Sequence, residues 1–364
     1  MKLKDFKVEQ WMNENEGQAK YNLTDTCASS FSLQELLNMG HLDPSSILLD
    51  YGEIVGKKSL RQEILNLYQN KDLEQITTTN GCLEANTLVM DTLLEPEDHV
   101  ITCVPGYQQF VSYPESLGCT VSLVRLDPAK NWSCCVDDFS KHIGKHTKLV
   151  ILNNPNNPTG TVFTLPFLEE LIVLCRKNGI YILCDEVYRD PQHLKSISDL
   201  YEKGISTSSF SKLYGLAGLR LGWIKGPRDV IKKVNARRDY VMISTGDLRD
   251  TLGLIALQNK EEILKRTRSI LQINKEFLRS WLETNPDFSC VIPAEGTVAF
   301  LQIHGMTDSK SMAQKLLEQE GIFFVPGSCF DQEGYMRLGL GQDPQKFQAG
   351  LKELAIFLKS VKPL

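Results

Sequence analysis

Strand-like and helix-like segments alternate through the middle of this chain of 364 residues. We predict strands over 148–152, which is apolar after Lys148, and over 180–184, because such apolar runs are typical of strands that are covered on both faces of a sheet. Between them, Thr164 is a suitable helix N-cap and Gly179 a suitable helix end, so we predict a helix over 167–177. This order predicts an α/β fold with a mainly parallel sheet flanked by helices. Ligands of such sheets bind beyond the carboxyl ends of the strands.

The same rhythm extends upstream, whereas the last third of the chain is more helical. Upstream, we predict helices over 59–68 and 83–93 and strands over 76–79 and 99–104. After about residue 254, we predict helices over 262–282, 309–319 and 344–359, and strands over 298–302, 322–324 and 335–338. These elements predict a large domain of residues 45–255 and a smaller α+β domain that combines residues 1–44 with 256–364.

Composition and charge argue against several classes of function. The formal net charge is -5, and a mildly acidic chain without a Lys/Arg block gives no reason to propose a nucleic acid or a membrane as a partner. The apolar runs are too short to span a bilayer, and the charged N-terminus is unlike a signal peptide. The 10 cysteines and 6 histidines show no metal-type spacing. We therefore expect a cytoplasmic protein with reduced thiols and no metal site.

A lysine among small hydroxyl residues is the first candidate for chemistry. Lys212 ends the run SSFSK and is followed by a glycine-rich stretch that contains Arg220. Such an amine suits a Schiff base with an aldehyde cofactor, and it must be neutral to attack, so we expect burial and nearby cations to lower its pKa. The hydroxyl groups and Arg220 suit a phosphate anchor. A polar surface loop is the alternative interpretation.

Two further motifs follow the predicted buried strands. The run NNPNNPTG occupies residues 153–160, and Asp185 and Tyr188 belong to the run DEVY. Asparagine, proline and glycine are common in turns, but this much amide and proline in eight residues is unusual for a simple turn. Two roles are open for Asp185: it could cap a helix, or it could hold a proton on a heteroaromatic nitrogen, as a pyridoxal phosphate electron sink requires.

The stretches NNPNNPTG, CDEVY, SSFSK and GLRLGW, in this order and spacing, resemble the fold-type I enzymes of the class I/II aminotransferase family, the aspartate aminotransferase superfamily. The resemblance runs from about residue 22 to the C-terminus and is looser in the last third. It implies pyridoxal 5′-phosphate (PLP) as cofactor and an enzyme that moves an amino group between an L-amino acid and a 2-oxo acid. It also implies a homodimer with shared active sites.

The resemblance implies catalytic roles for individual positions. Lys212 would carry the cofactor as a Schiff base and then shuttle the proton. Asp185 would pair with the pyridine nitrogen, and Tyr188 and Asn157 would bond the phenolic oxygen of the cofactor. Tyr107 would stack on the pyridine ring.

It likewise implies contacts to the phosphate and to the substrate. The phosphate contacts, including backbone N–H groups at a helix N-terminus, would come from Gly81, Cys82, Leu83, Ser209, Ser211 and Arg220. Tyr51 would reach the phosphate of the neighbouring subunit. Arg337 would bind the substrate α-carboxylate in a bidentate manner, with Asn157 beside it.

Departures from the family pattern leave the substrate open. Cys82 and Leu83 replace a small or polar pair, so only their backbone contacts carry over. No arginine corresponds to the residue that binds a dicarboxylic side chain, which disfavours a strict aspartate aminotransferase. Substrate choice then falls to residues 24–28 and nearby loops.

Three alternatives use the same scaffold. A β-elimination C–S lyase would expel a β-substituent instead of transferring the amino group. Residues 238–246 resemble an arginine-processing oxidase/cyclase branch, such as capreomycidine synthase, in which Asp25 would meet a guanidinium. A non-catalytic PLP-binding protein is disfavoured, because the lysine, aspartate and arginine set is intact.

Overall fold

The structure is a computed structural model that describes residues 3–360, so the outermost residues of both segments of the predicted small domain lie outside it. Its strands are β1 (Tyr21–Asn22), β2 (Ile76–Thr79), β3 (His99–Val104), β4 (Thr120–Arg125), β5 (Thr147–Asn153), β6 (Tyr181–Asp185), β7 (Gly204–Ser209), β8 (Gly222–Lys225), β9 (Phe288–Cys290), β10 (Val298–Ile303), β11 (Ile322–Phe323), β12 (Val325–Pro326) and β13 (Tyr335–Gly339). Its helices are α1 (Lys7–Asn15), α2 (Leu33–Gly40), α3 (Lys58–Leu65), α4 (Cys82–Leu93), α5 (Gln109–Ser116), α6 (Val136–Ser140), α7 (Leu165–Asn178), α8 (Ile197–Leu200), α9 (Arg228–Val241), α10 (Asp247–Gln258), α11 (Lys260–Thr284), α12 (Ser309–Glu320) and α13 (Pro344–Ser360).

The largest sheet has seven strands in the order β2-β8-β7-β6-β5-β3-β4. Strands β4, β3, β5, β6 and β7 are mutually parallel, and β8 is antiparallel to both of its neighbours. The register places Asn153 opposite Asp185, and Asp185 opposite Thr207. The predicted mainly parallel sheet is therefore confirmed. At its carboxyl edge β5 and β6 end level with each other, and β7 extends two residues further, to Ser209.

Alternate side chains of β5 enter two separate apolar cores. Val150 and Leu152 pack in the larger core, which also holds the buried face of α7, whereas Leu149 and Ile151 pack in a second core with α4. This follows from the two-residue period of a strand, which sends neighbouring side chains to opposite faces. Because helices cover both faces, the four central residues of the strand, 149–152, are all apolar.

The caps predicted for α7 are present. The Thr164 side chain accepts a hydrogen bond from the Phe167 N–H, and Gly179 ends the helix in the left-handed region, with φ of +68°. A side chain at that position would be strained, which is why glycine ends the helix there.

A smaller antiparallel sheet has the order β12-β13-β10-β9. N-terminal residues join these C-terminal elements, because β1 pairs in parallel with β11 and Leu23 packs against Gly350 of α13. This packing supports our proposal that residues 1–44 and 256–364 form one small domain. Among residues 3–360, no helix combines the length and apolar character needed to cross a membrane.

Candidate active site

A cavity of about 440 Å³ lies at the carboxyl edge of the large sheet. The last residues of three parallel strands line it: Asn153 of β5, Asp185 of β6 and Ser209 of β7. The predicted site residues on its wall are Cys82, Leu83, Tyr107, Asn157, Asp185, Tyr188, Ser209, Ser211, Lys212, Arg220 and Arg337. The position of the cavity agrees with the rule for ligand sites in open α/β sheets.

Lys212 points its amine at the N-terminal segment of the chain. Its Nζ donates a hydrogen bond of 2.6 Å to Thr26 Oγ1, lies 3.8 Å from Cys27 Sγ and lies 5.9 Å from the centre of the Tyr188 ring. The expectation of a lowered pKa is wrong for this arrangement. Burial does lower the pKa of Lys212, but Tyr188 and Cys27 favour the ammonium form, and the net shift of the pKa is upward.

Asp185 is almost fully buried, with 5% of its surface exposed. Its Oδ2 accepts a hydrogen bond of 2.8 Å from Asn86 Nδ2, and its Oδ1 accepts one of 3.0 Å from the Val187 N–H. Burial raises the pKa of Asp185, and these two hydrogen bonds oppose that rise because they stabilise the carboxylate. Thr207 Oγ1 donates to Asn86 Oδ1 at 2.6 Å, which orients the Asn86 amide so that its N–H faces Asp185.

The side of the cavity at the start of α4 suits an anion. Gly81 has φ of +88°, and a Cβ built on it would lie 2.8 Å from Arg220 Nη2. The absence of a side chain thus lets the guanidinium approach the N-terminus of α4, where no side chain caps the first turn among the described residues. Ser209 Oγ accepts a hydrogen bond of 3.2 Å from the Ser211 N–H. Helix N–H groups, a guanidinium and hydroxyl groups are together suited to a phosphate.

We expect Gly81→Ala to weaken retention of a phosphate-bearing cofactor by roughly ten- to hundredfold. The new methyl group would displace the Arg220 guanidinium, and a charge-assisted hydrogen bond contributes about 1.5–3 kcal/mol. Gly218→Ala is the matched control, because a Cβ there meets no atom within 4 Å. Equilibrium dialysis of both variants checks the prediction, and equal retention by the two variants would contradict it.

The remaining wall carries polar groups that face the cavity. Tyr107 donates a hydrogen bond of 2.9 Å to Glu9 Oε1. The Asn157 N–H donates to Asn153 Oδ1 at 2.7 Å, whereas the buried Asn157 Oδ1 has no partner within the described part of the chain. A buried amide oxygen without a partner is costly, which points to a ligand at this wall. The unpartnered amide, the buried carboxylate and the phosphate seat all fit PLP.

Arg337 enters the cavity from the small sheet. On β13 it lies between Phe300 of β10 and Val325 of β12, with 4% of its surface exposed. Its Nε donates to Thr24 Oγ1 at 3.1 Å, and within residues 3–360 its guanidinium forms no ion pair with a carboxylate. A buried guanidinium without a counter-charge is unfavourable unless an anion binds beside it.

Two predicted site residues are not on the wall of the cavity. Gly81 lies directly behind the wall, beside Arg220, whereas Tyr51 is on the surface of the single chain. Its surface is 63% exposed, and its carbonyl oxygen accepts a hydrogen bond of 2.6 Å from Ser244 Oγ. The cavity also contains residues that the motifs did not indicate: Val8, Glu9 and Met12 of α1, and Asn86 of α4. No local sequence signal marks these four, since they reach the cavity only through tertiary packing.

Outside the cavity, Asp190, His193 and Glu295 place possible metal-ligand atoms within 4.8 Å of one another. Arg268 already donates to both Asp190 oxygens, at 2.7 and 2.9 Å. The carboxylate that would have to anchor an ion is therefore engaged in an ion pair, and the expectation of no metal site stays a prediction.

The chain is similar in sequence and structure to known PLP-dependent aminotransferases and related enzymes. A family model described as aminotransferase class I and II matches residues 15–354. Capreomycidine synthase of Streptomyces vinaceus is 25% identical over 96% of this chain and 92% of its own length. An aspartate aminotransferase of Thermotoga maritima is 26% identical over 79% of this chain and 76% of its own. The crystal structure of a PLP-dependent aminotransferase from Streptococcus suis 89-1591 covers 100% of both chains, with a TM-score of 0.95 and 36% identity.

Proposed function

Because the chain belongs to the aminotransferase class I and II family and PLP is its cofactor, we propose that it is an aminotransferase that moves an amino group between an L-amino acid and a 2-oxo acid. One observation carries the proposal. The amine of Lys212, the buried carboxylate of Asp185 and the guanidinium of Arg337 face a single cavity. These groups supply a proton carrier, a partner for a ring nitrogen and an anchor for an α-carboxylate.

Each residue has a separate task in this proposal. Bound PLP supplies an electron sink for the bond that breaks at the substrate Cα. Asp185 holds a proton on the ring nitrogen, and Asn86 and Val187 hold the Asp185 carboxylate in place. Lys212 Nζ binds the cofactor covalently and, when free, takes the proton from the substrate Cα.

The phosphate and ring contacts complete the cofactor seat. The proposed phosphate ligands are Ser209, Ser211, Arg220 and the N–H groups of Gly81, Cys82 and Leu83. Tyr107 would cover the ring, and Asn157 and Tyr188 would bond its phenolic oxygen. Asn157 Oδ1 is buried without a partner in the part of the chain that the structure describes, which supports a role for that amide at the ligand.

A panel of amino donors tests the reaction. We would mix the PLP-loaded protein with each of the twenty amino acids and several 2-oxo acids, and assay the products. Formation of a new 2-oxo acid together with a new amino acid supports amino transfer. Ammonia and pyruvate would point to β-elimination. Oxidised or cyclised arginine would point to the second candidate, which the 25% identity to capreomycidine synthase favours. No product from any donor would point to a non-catalytic PLP-binding protein.

A homodimer with shared sites belongs to the same proposal. Residues 48–54 and 240–248 form an exposed apolar surface. Its side chains are Leu48, Leu49, Tyr51, Ile54, Tyr240, Val241, Ile243 and Leu248. Its two segments are joined by the Ser244–Tyr51 bond and by the Asp247 N–H to the Asp50 carbonyl oxygen. Contiguous exposed apolar groups of this kind are typical of protein interfaces. Covering this surface with a second copy would place Tyr51 at the subunit boundary.

We expect Tyr51→Phe to weaken PLP retention without unfolding the protein. The loss is one hydrogen bond to a phosphate, about 0.5–1.5 kcal/mol or somewhat more for a charged acceptor. Mixed dimers of inactive Lys212→Ala and inactive Tyr51→Ala subunits should regain activity, because one of their two sites draws both residues from intact copies. Mixing Lys212→Ala with Asp185→Asn is the control: one subunit supplies both residues to a site, so each site of the mixed dimer keeps one defect and activity should not return. A fully active monomer in sedimentation would contradict the proposal.

A cytoplasmic location is also proposed. All ten cysteines lie among the described residues, and each is a free thiol there. Free thiols in this number are typical of proteins from reducing compartments. Fractionation of cells that express the protein would test the location.

A further inference from the structure

Six charged side chains of residues 3–360 line the cavity, and the proposed reaction uses four of them. Asp185, Lys212 and Arg220 serve the cofactor, and Arg337 serves the substrate α-carboxylate. The two others, Glu9 and Asp25, are acidic. Both belong to the N-terminal part of the chain, which also contributes Val8, Met12, Thr26 and Cys27 to the wall.

Glu9 is the first of these acidic residues. It lies on the first turn of α1 and accepts the hydrogen bond from Tyr107, the residue proposed to cover the cofactor ring. That bond uses Oε1, and Glu9 forms no ion pair with a lysine or arginine among residues 3–360. Among the described residues the other carboxylate oxygen, Oε2, has no hydrogen-bond partner, so it is available to a ligand in the cavity.

Asp25 is the second acidic residue. Its Oδ1 accepts a hydrogen bond of 2.9 Å from the Cys27 N–H, which fixes the carboxylate, and it too forms no ion pair within the described residues. The next residue, Thr26, accepts the hydrogen bond from Lys212 Nζ. Asp25 is therefore the neighbour in sequence of the residue that contacts the Lys212 amine.

The surroundings reinforce this negative charge. Burial raises the pKa of Glu16, and the charges of Asp25 and, less strongly, of Glu9 raise it further, whereas the Asn22 hydrogen bond and Arg337 lower it. The three carboxylates are thus close enough to repel one another. A dicarboxylic substrate would need a second cation at the side-chain end of the cavity, and the described wall offers acidic groups instead.

We propose that the preferred amino acid has a positively charged side chain, a guanidinium or an ammonium, which Glu9 and Asp25 bind above the cofactor. The inference rests on the proposed function, because Arg337 is taken to hold the α-carboxylate. Within the described chain, the unpartnered Asn157 Oδ1 and the buried, unpaired Arg337 indicate that the cavity takes ligands, and the proposed function assigns them to the cofactor and to the α-carboxylate. A cation between two carboxylates gains charge-assisted hydrogen bonds, whereas a neutral or acidic side chain leaves the carboxylates unpaired.

The test compares L-arginine with L-citrulline, which has almost the same shape but no charge. Binding to the PLP-loaded protein is measured by calorimetry, and turnover is measured with a 2-oxo acid acceptor. L-lysine distinguishes an ammonium from a guanidinium, and L-glutamate tests the opposite charge. We expect the cationic donors to bind roughly ten- to hundredfold more tightly than citrulline, and glutamate to bind more weakly than citrulline.

Two variants assign the preference to the named carboxylates. Asp25→Asn and Glu9→Gln should each reduce the ratio of arginine to citrulline affinity by about tenfold, as expected for one charged partner. Glu14→Gln is the matched control, because it removes the same charge from the same helix at an exposed position outside the cavity. Glu14→Gln should have the same ratio of arginine to citrulline affinity as the wild type. Melting temperatures of all three variants report whether they fold.

The outcomes separate this inference from the proposed function. Suppose that arginine binds tightly, that Asp25→Asn abolishes the preference for arginine over citrulline, and that no donor yields a 2-oxo acid. Then the binding of a cationic side chain by Glu9 and Asp25 stands, and amino transfer is wrong. Suppose instead that amino transfer occurs and that the ratio of arginine to citrulline affinity is the same in the wild type, Asp25→Asn and Glu9→Gln. Then the proposed binding of a cationic side chain is wrong, and the proposed function stands. A preference for glutamate over arginine would also overturn the inference.

Discussion

Borohydride treatment of the PLP-loaded protein should attach the cofactor permanently to Lys212, and Lys212→Ala should lose that attachment. Reduction converts the bond between the lysine nitrogen and the cofactor into a stable amine. The variant should still bind PLP, because the proposed phosphate seat and the Asp185 contact do not involve the amine. Its turnover should fall by roughly 10²–10⁴-fold, the usual contribution of a positioned proton carrier. Peptide mapping after reduction, and turnover at saturating donor, are the measurements.

Lys225 is the natural competitor for the attachment. It is fully buried, and burial lowers its pKa, which is the property expected of a reactive amine. Its Nζ instead donates to Gln75 Oε1 at 2.7 Å, and it is not on the wall of the cavity. A labelled peptide that contains Lys225 and not Lys212 would refute the assignment. In that case burial, and not access to the cavity, would have selected the amine.

Much of the fold could be predicted from local pattern. The strands predicted over 76–79 and 99–104 have those bounds in the structure, and α11 extends the helix predicted over 262–282 by two residues at each end. Their signals are local: β-branched runs, apolar periodicity and caps. The helix predicted over 59–68 ends at Leu65, although Tyr68 beyond its end is still buried. Its apolar pattern reflects burial and not continued helix.

Long-range pairings could not be predicted in the same way. The reversed direction of β8 within the sheet, and the pairing of β1 with β11 some 300 residues later in the chain, depend on tertiary contacts. Such contacts have no local period. The sequence pattern therefore indicated that a sheet forms, while the order and direction of its outer strands came from the structure.

The residues of the site also fall into two groups: those in local motifs, which could be predicted, and those brought in by tertiary packing, which could not. Motifs at strand ends, such as those with Asp185 and Lys212, could be found because short polar runs interrupt apolar strands. Glu9 and Asn86 could not, since each is one polar residue on a helix with no motif around it. The direction of the Lys212 pKa shift was also predicted wrongly. The motif contains the hydroxyl groups and the later arginine, but Tyr188 and Cys27, which raise the pKa, come from distant segments.

Asp185→Asn should keep the cofactor and lose most of the activity. The amide has the same shape as the carboxylate, so the cofactor can still bind through its phosphate and through Lys212. An amide carries no negative charge to stabilise a proton on the ring nitrogen, so electron withdrawal from the substrate Cα weakens. We expect a rate lower by about a hundredfold or more, which corresponds to about 2.7 kcal/mol of lost transition-state stabilisation. Turnover at saturating donor and PLP content per subunit are measured together.

Asn86→Ala separates the charge of Asp185 from its position. This variant removes the 2.8 Å hydrogen bond to Asp185 Oδ2 but leaves the carboxylate and its bond from the Val187 N–H. Because that hydrogen bond opposes the rise in the Asp185 pKa caused by burial, its loss should raise the pKa further. The acid limb of the activity profile should then move to higher pH, while turnover at alkaline pH stays well above that of Asp185→Asn. Near-normal turnover in Asp185→Asn would instead mean that the carboxylate only caps the chain after β6, and the proposed partner of the ring nitrogen would have to be sought elsewhere in the cavity.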